Sequence, residues 1–336
     1  MASVNPLLAL PSIPADLARV ETTLRASVAA EDPFLTEVAS HLINAGGKRG
    51  RPAFAIGVAA SRTSDALAVP QEVILGAVSV ELVHLGSLYH DDVMDEATTR
   101  RTVESVNAKW GNLQAILAGD YLLAKASEIA AGLGTEVAGL LARTIGKLCE
   151  GQVLELQHTY NPDRSETAYL RSIAGKTASL YATACRIGAI TSGCTIEQVD
   201  AATAFGMAYG MGFQIVDDIL DLCATDEQLG KPAGHDLIEG VYTLPVIRVL
   251  SAGGPAAHTL RASLGRPLSE NEMVDVRAAV RSSDEVESSI TTAKGYLAEA
   301  TAALGALDAG ASRDALAGAV EHLLAAPTEL LAALQP

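Results

Sequence analysis

This sequence predicts an all-α fold, and three observations carry the prediction. Apolar residues fill 49% of the 336 positions but aromatics only 4%, so the core is aliphatic and alanine-rich, which suits close-packed helices better than sheets. From Ala15 onward the apolar residues recur with the helical period. No alternating run of useful strand length interrupts them.

Residues 1–13, with Pro6 and Pro11 as breakers and Pro14 just beyond, read as a flexible arm, and 14–336 as one helical domain. Helices are expected over about 14–30, 33–46, 49–62, 71–97, 104–110, 112–131 and 135–159. They continue over about 165–174, 176–191, 196–222, 239–252, 269–281, 284–304 and 311–334. Turn formers separate them: Gly46-Gly47, Ser64-Asp65, Gly132-Leu133-Gly134, Asn161-Pro162-Asp163, Gly230-Lys231-Pro232 and Gly253-Gly254-Pro255. The 252–268 stretch reads as a loop, and no heptad or tandem repeat is visible.

The balance of 24 basic against 40 acidic residues gives a net charge of −16. That argues against general nucleic-acid binding, which needs a basic face, and against anionic membrane surfaces. Cys149, Cys185, Cys194 and Cys223 form no CxxC pair, so they read as thiols of a reducing cytoplasm rather than zinc ligands. The first residues lack the charged and apolar regions of a signal peptide. No unbroken run of 18 apolar residues suggests a transmembrane segment.

Two DDxxD clusters stand out: Asp91-Asp92-Val93-Met94-Asp95 and Asp217-Asp218-Ile219-Leu220-Asp221. Positions four apart share a helix face, so Asp91 stacks with Asp95 and Asp217 with Asp221. Asp92 and Asp218 lie about 100° round. Three carboxylates within little more than one turn repel unless cations neutralise them. A single such cluster is as easily a solvated helix end. Two, on long and otherwise apolar helices, point to hard-ion binding, and Mg²⁺ takes carboxylates together with water and phosphate oxygens. Upstream, Glu81, His84 and Leu88 follow the helical spacing to Asp91, which sets His84 on the aspartate side, and Gln214 lies one turn before Asp217 and Asp218.

Three of the seven lysines sit in glycine-adjacent turns: Gly46-Gly47-Lys48-Arg49-Gly50-Arg51, Gly175-Lys176-Thr177 and Gly230-Lys231-Pro232. Arg100 and Arg101 follow the first aspartate cluster. The first two turns are placed near expected helix starts, where anions are favoured. The GKT is not a P-loop, because Leu170 takes the position of the first glycine and no strand precedes it. Carboxylates for Mg²⁺ and cations for phosphate together describe a site for phosphorylated substrates.

The strings GGKRGRP, ELVHLGSLYHDDVMDEATTRR, GDYLLAKA, GKTASL, FQIVDDILD and LGKPAGHDLIEGVYTLP resemble, in this order, the trans-isoprenyl diphosphate synthases (polyprenyl synthetases). HDDVMDEA and EGVYTLP look like the actinobacterial long-chain members. The resemblance runs from about residue 40 to 250 and more faintly to the C-terminus. It implies a single antiparallel helical bundle around a deep central cavity, a cytoplasmic homodimer, and three Mg²⁺ per active site with substrate bound. It assigns Asp91, Asp92 and Asp95, with Asp91 and Asp95 foremost, and Asp217, Asp218 and Asp221 to the metal. Lys48, Arg51, His84 and Arg101 match the isopentenyl diphosphate site. Arg100, Lys176, Thr177, Gln214 and Lys231 match the allylic diphosphate site.

The implied reaction ionises the allylic C–O bond, joins the cation to the double bond of isopentenyl diphosphate, and loses a proton to leave a trans alkene. Product length is read from Gly86 and Ser87, five and four residues before Asp91. Short-chain members often carry an aromatic at this level, so two small residues imply a product of about C30 or longer. Menaquinone side chains fit the actinobacterial likeness. A C20 synthase and a terpene cyclase on the same scaffold are the rival enzymes, and a regulatory subunit of a heteromeric synthase is the non-enzyme rival. Intact Lys48, Arg51, His84 and Arg101 argue against the cyclase, and two whole aspartate clusters argue against the subunit. Three positions depart from the pattern: Gly50 for a common Leu or Ile, Thr102 for a common Gly, and Val241 for a common Lys.

Overall fold

The computed structural model describes residues 6–62, 68–229 and 233–334. The order is α1 (Ile13–Ser27), α2 (Pro33–Asn44), α3 (Gly50–Ala60), α4 (Gln71–Met94), β1 (Thr99–Arg100), β2 (Val103–Glu104), α5 (Val106–Trp110), α6 (Asn112–Gly132) and α7 (Thr135–Leu156). It continues with α8 (Glu166–Ile173), α9 (Ser179–Thr191), α10 (Ile196–Cys223), α11 (Asp226–Leu229), α12 (His235–Glu239), α13 (Leu244–Ala252), α14 (Gly254–Ser263), α15 (Glu270–Arg281), α16 (Glu285–Ala303) and α17 (Ala311–Leu334). The fold is all-α. The chain divides into two compact units. One comprises Met1–Ile145, Leu180–Gly206 and Ala303–Gly318; the other comprises Gly146–Ser179, Met207–Ala302 and Ala319–Pro336.

In the first unit α4 is the hub, packed along α6 and against α1 and α3. By length and composition it is apolar enough to cross a membrane, but 72% of its most apolar window is buried inside the protein. An all-round apolar helix of this kind is a core helix. At about 1.5 Å per residue it runs roughly 36 Å, and it delivers the first aspartate cluster at its C-terminal end. Small residues set the α4–α6 approach. A Cβ on Gly86 would lie 3.0 Å from the Gly119 carbonyl oxygen, and one on Gly119 would lie 2.3 Å from His90 Nε2.

The second unit is built on an aliphatic cluster that includes Ile215, Ile219, Leu244, Val246, Leu260, Val276 and Ile290. It buries the inner face of α10's last turns, so the second aspartate cluster also sits at a helix C-terminal end.

Three expectations change. Residues 6–13 are not a loose arm: Pro6–Ala9 form a 3₁₀ turn, Leu7, Leu10 and Ile13 are buried, and Leu7 reaches toward Gly57 of α3. The 252–268 loop contains α14, which starts at Gly254-Pro255 with the proline in its first turn. Between α4 and α5 the chain forms a two-stranded hairpin, with Thr99 opposite Glu104 and Arg100 opposite Val103. Its two-residue loop, Arg101 (φ 52°) and Thr102 (φ 65°), has the positive φ pair of a type I′ turn.

Candidate active site

Asp91 and Asp92 occupy the last turn of α4, and Asp95 is its C-cap, donating its N–H to the Asp91 carbonyl at 2.8 Å. A helix C-terminus carries partial negative charge. Carboxylates there are disfavoured twice, by one another and by the helix, so the cluster is built to receive a cation. Asp91 is half-buried and Asp95 exposed. Asp92 differs. It is fully buried, and its Oδ1 accepts from Arg100 Nε at 2.7 Å and Nη2 at 2.6 Å. Its carbonyl accepts from Asn107 Nδ2 at 2.9 Å. Asp92 thus fastens the hairpin, and Arg100 is engaged with it.

The cationic group of the first unit gathers at the α3 N-terminus. Lys48 is exposed in the turn before α3. Arg51 lies with its guanidinium carbon 4.7 Å from the Tyr181 ring centre, a cation–π contact. Arg101, at the hairpin tip, donates through Nη1 to the carbonyls of Leu42, at 3.1 Å, and Gly46. His84 is half-buried on α4. Burial, then the charges of Arg51, Arg101, Arg49 and Arg100, hold its imidazole well below the usual range. It is therefore neutral at pH 7. Gly50, where bulkier residues are common, is the first residue of α3, and a Cβ there would meet the Tyr181 hydroxyl at 3.5 Å.

In the second unit Lys176, Thr177, Gln214 and Asp218 line one pocket of about 90 Å³, together with Glu155, Tyr169, Asp236 and Val241. The GKT is not at a helix start. It lies in a π-helical turn, Ala174–Ala178, that joins α8 to α9. Such turns recur at functional sites. The cause here is close backbone approach: a Cβ on Gly175 would lie 2.6 Å from the Lys147 carbonyl oxygen, and one on Gly151 would lie 2.5 Å from the Lys176 nitrogen. Only glycine fits at either position. The contact sets Lys176 Nζ 2.6 Å from Glu155, one turn beyond Gly151 on α7.

From there a chain of hydrogen bonds runs inward. Thr177 Oγ1 donates to Gln214 Oε1 at 2.7 Å, and Gln214 Nε2 donates to Asp218 Oδ1 at 2.7 Å. Tyr169 Oη donates to Asp218 Oδ2 at 2.5 Å. Burial outweighs these hydrogen bonds and, with Asp217 and Glu155 adding repulsion, pushes the Asp218 carboxyl up to about 7. Asp217 is exposed, and Asp221 is buried, with its Oδ2 accepting the Asp236 N–H at 3.1 Å. Burial, then Asp218, Asp221, Asp217 and Glu155, hold Asp236 well above the carboxylate range. Lys231 lies outside the described residues.

Sequence reasoning missed Tyr169, Glu155, Asp236 and Arg49. Asp236 stood in the string GHDLIEG, so a signal for it existed. Glu155 enters only through the Gly151–Gly175 contact. Tyr160 was missed too. It adopts φ 55°, donates its N–H to the Gly240 carbonyl at 2.8 Å and its hydroxyl to the Ile238 carbonyl at 3.0 Å, and so clamps the segment bearing Asp236.

Gly86 and Ser87 also separate. Gly86 faces α6, as its approach to Gly119 requires. Ser87 is half-buried and donates to the His84 carbonyl at 2.8 Å. The smallness of Gly86 is therefore explained by helix packing, and Ser87 alone stays on the His84 side.

The donor set fits Mg²⁺. Both clusters offer hard carboxylate oxygens at helix C-termini, and cations for phosphate stand in each unit. Among the described residues no group of three or more His, Cys, Asp or Glu side chains forms a closed metal cage. Mg²⁺ characteristically takes only one or two protein carboxylates and fills its shell from water and phosphate.

Residues 32–283 match the family model described as Polyprenyl synthetase. The chain is 40% identical over 313 residues to nonaprenyl diphosphate synthase of Mycobacterium tuberculosis, covering 93% of this chain and 92% of that one. It is 40% identical over 302 residues to heptaprenyl diphosphate synthase component 2 of Geobacillus stearothermophilus, covering 90% and 92%. A solved structure of polyprenyl synthase from Caulobacter crescentus, complexed with calcium and isoprenyl diphosphate, matches with a TM-score of 0.88 at 32% identity, covering 96% of this chain and 98% of that one. The chain belongs to the polyprenyl synthetase family. It is a prenyltransferase of the polyprenyl diphosphate synthase kind.

Proposed function

We propose that this prenyltransferase condenses isopentenyl diphosphate with an allylic diphosphate to make a long-chain all-trans polyprenyl diphosphate, in the C30 or longer class, with Mg²⁺ as its metal. The carrying observation is that Lys176, Thr177, Gln214 and Asp218 line one pocket in a chain whose 40% identity to a nonaprenyl diphosphate synthase spans 93% of its length. Asp91, Asp95 and Asp217 would hold Mg²⁺, three ions per site with substrate bound, with Asp218 and Asp221 supporting Asp217. Bound there, the ions supply charge stabilisation for the departing diphosphate.

The chain's own residues do the rest. Lys176 and Thr177 hold the allylic diphosphate. Gln214 links Thr177 to Asp218 and accepts the one Thr177 hydroxyl proton, which turns to a diphosphate oxygen when substrate binds. Lys48, Arg51 and Arg101 hold the isopentenyl diphosphate, while neutral His84 donates one hydrogen bond without adding charge. No side chain need act as a nucleophile. Water has to be kept from the allylic cation, which it would otherwise quench. Val241 removes the cation common at that position and leaves more of the phosphate charge to Lys176 and the metal.

The working unit is a homodimer in the cytoplasm, and quinone side chains of the menaquinone type are the expected use. Support for the dimer comes from α6, which exposes Leu113 (74%), Leu117 (65%) and Ile116 (41%) on its surface. Large exposed apolar groups in a row mark association surfaces.

The test is to incubate the pure chain with Mg²⁺, labelled isopentenyl diphosphate and, separately, C10, C15 and C20 allylic starters, and then size the dephosphorylated products. A ladder ending at C30 or beyond is expected. A stop at C20 overturns the chain-length reading, and cyclic hydrocarbon from the starter alone overturns the synthase. Gel filtration of the same sample reads the oligomer. Ser87→Phe should shorten the main product by at least one C5 unit with the melting temperature nearly kept, as product chromatography will show.

A further inference from the structure

The cationic group of the first unit contains one deeply buried acid, Glu81, and the reading above leaves it without a task. Glu81 lies on α4 one turn before His84, with 2% of its side chain exposed. Its Oε1 accepts from Arg49 Nη1 at 2.9 Å and lies 4.0 Å from Arg101 Nη2. Arg49 is almost as buried. It also pairs with Glu21 and donates through Nη2 to the Ile43 carbonyl at 3.1 Å. Its guanidinium is engaged by Glu81, Glu21 and the Ile43 carbonyl, so it is placed to organise rather than to bind substrate.

Gly47 ties the two guanidiniums together. A Cβ there would lie 2.8 Å from Arg101 Nη1 and 3.1 Å from Arg49 Nη1. Both arginines are also set by left-handed backbone, Arg49 at φ 45° and Arg101 at φ 52°. Such geometry is held only where the surroundings over-determine it. Two guanidiniums this close repel, and the carboxylate between them offsets that repulsion.

We infer that Glu81 is a positioning residue for the isopentenyl diphosphate: through its ion pair with Arg49 and its approach to Arg101, it fixes the Arg101 guanidinium against the Gly46-Gly47 turn, in the place where the diphosphate takes it up. The inference rests on the proposed role of Lys48, Arg51 and Arg101. A diphosphate oxygen gains most from a donor already held in place, because no reorganisation is then needed on binding. Without Glu81 the hairpin tip keeps its charge but loses its address.

Steady-state kinetics of Glu81→Gln, Glu81→Asp, Gly47→Ala and Lys48→Ala, with each substrate varied separately, test this. Glu81→Gln is expected to raise KM for isopentenyl diphosphate about 10-fold or more while KM for the allylic substrate stays within about twofold. Glu81→Asp should recover part of the loss. Gly47→Ala keeps the Glu81 carboxylate and crowds the guanidiniums, Arg101 first and Arg49 Nη1 less closely, so it should give the same one-sided KM shift and covers the case in which Glu81→Gln fails to fold. Lys48→Ala checks the site itself. If Lys48→Ala raises the isopentenyl KM and neither Glu81→Gln nor Gly47→Ala does, the positioning role is overturned and the site stands. If none of the three moves that KM, the site assignment falls and the positioning role with it. Equal shifts in both KM values would reduce Glu81 to a packing residue and also overturn the inference.

Discussion

Around Glu81, a single buried carboxylate sits among the charges of Arg49, Arg51 and Arg101. Around Asp218 the proportions reverse: Asp217 and Glu155 raise its carboxyl, Asp236 lies among the same acids, and Lys176 is already engaged with Glu155. The two regions carry the same kinds of side chain and differ in which sign is in surplus. The first is a ready anion site, with Arg49 and Arg101 fixed by backbone carbonyls and by the acids Glu81 and Glu21. The second carries surplus negative charge and calls for a cation before a diphosphate is comfortable there. A net-acidic protein can thus take up two diphosphates by two routes, one direct and one through added positive charge.

The sharpest way to break this comparison is to remove an acid from the half-buried end of the first aspartate cluster. Asp91→Ala is expected to lower kcat by about 10³-fold, the scale of losing a preorganised transition-state contact. Its metal-free melting temperature should hold or rise slightly, because a carboxylate leaves a helix C-terminus. Steady-state rates and a melt read both, and a large drop in stability would contradict the cation-receiving role. Lys176→Met comes next. It should cut kcat/KM for the allylic substrate about 10²-fold and leave KM for isopentenyl diphosphate near its starting value. A loss shared equally between the substrates would dissolve the division of labour.

A third measurement sharpens the acidic side. The Asp218 carboxyl titrates near 7 in the fold and near 4 in the unfolded chain. Between those values the folded state holds a proton that the unfolded state has released. The contribution to stability is therefore full below about pH 4 and is lost as pH rises through 7. Metal-free melts from pH 5 to 8 should show falling stability, and Asp218→Asn should flatten the slope, leaving the part due to Asp236. An unchanged slope would mean that Asp218 is already ionised. The smallest effect is expected at His84. Because its imidazole is neutral, His84→Gln replaces one neutral hydrogen-bonding group with another and should change KM for isopentenyl diphosphate by less than about fivefold. A much larger change would mean that the ring acts as a cation.

The sequence by itself determined a good deal here. Periodicity and composition were enough for the helices, because a helix is a local structure whose hydrogen bonds close within four residues. Spacing was enough to set Gln214 one turn from Asp218, for the same reason. It also marked Lys48, Arg51, Arg101 and Lys176 as cations near turns, with the Thr177 hydroxyl beside the last. What it did not contain was the partner of each charge. Asp92 and Asp91 are neighbours in sequence, yet Asp92 is fully buried against Arg100 and Asp91 only half-buried. Gly86 and Ser87 are adjacent small residues, yet one is filled by α6 and the other faces His84's side of α4. The GKT looked like a helix start and proved to be a π turn, because Gly151, 24 positions earlier in sequence, comes into backbone contact with Gly175. Glu81, Glu155 and Tyr169 acquired roles only when other helices arrived beside them. Local structure follows from the order of residues along the chain. Burial, ion pairing and the resulting pKa shifts depend on distances through space, and only the tertiary structure decides those.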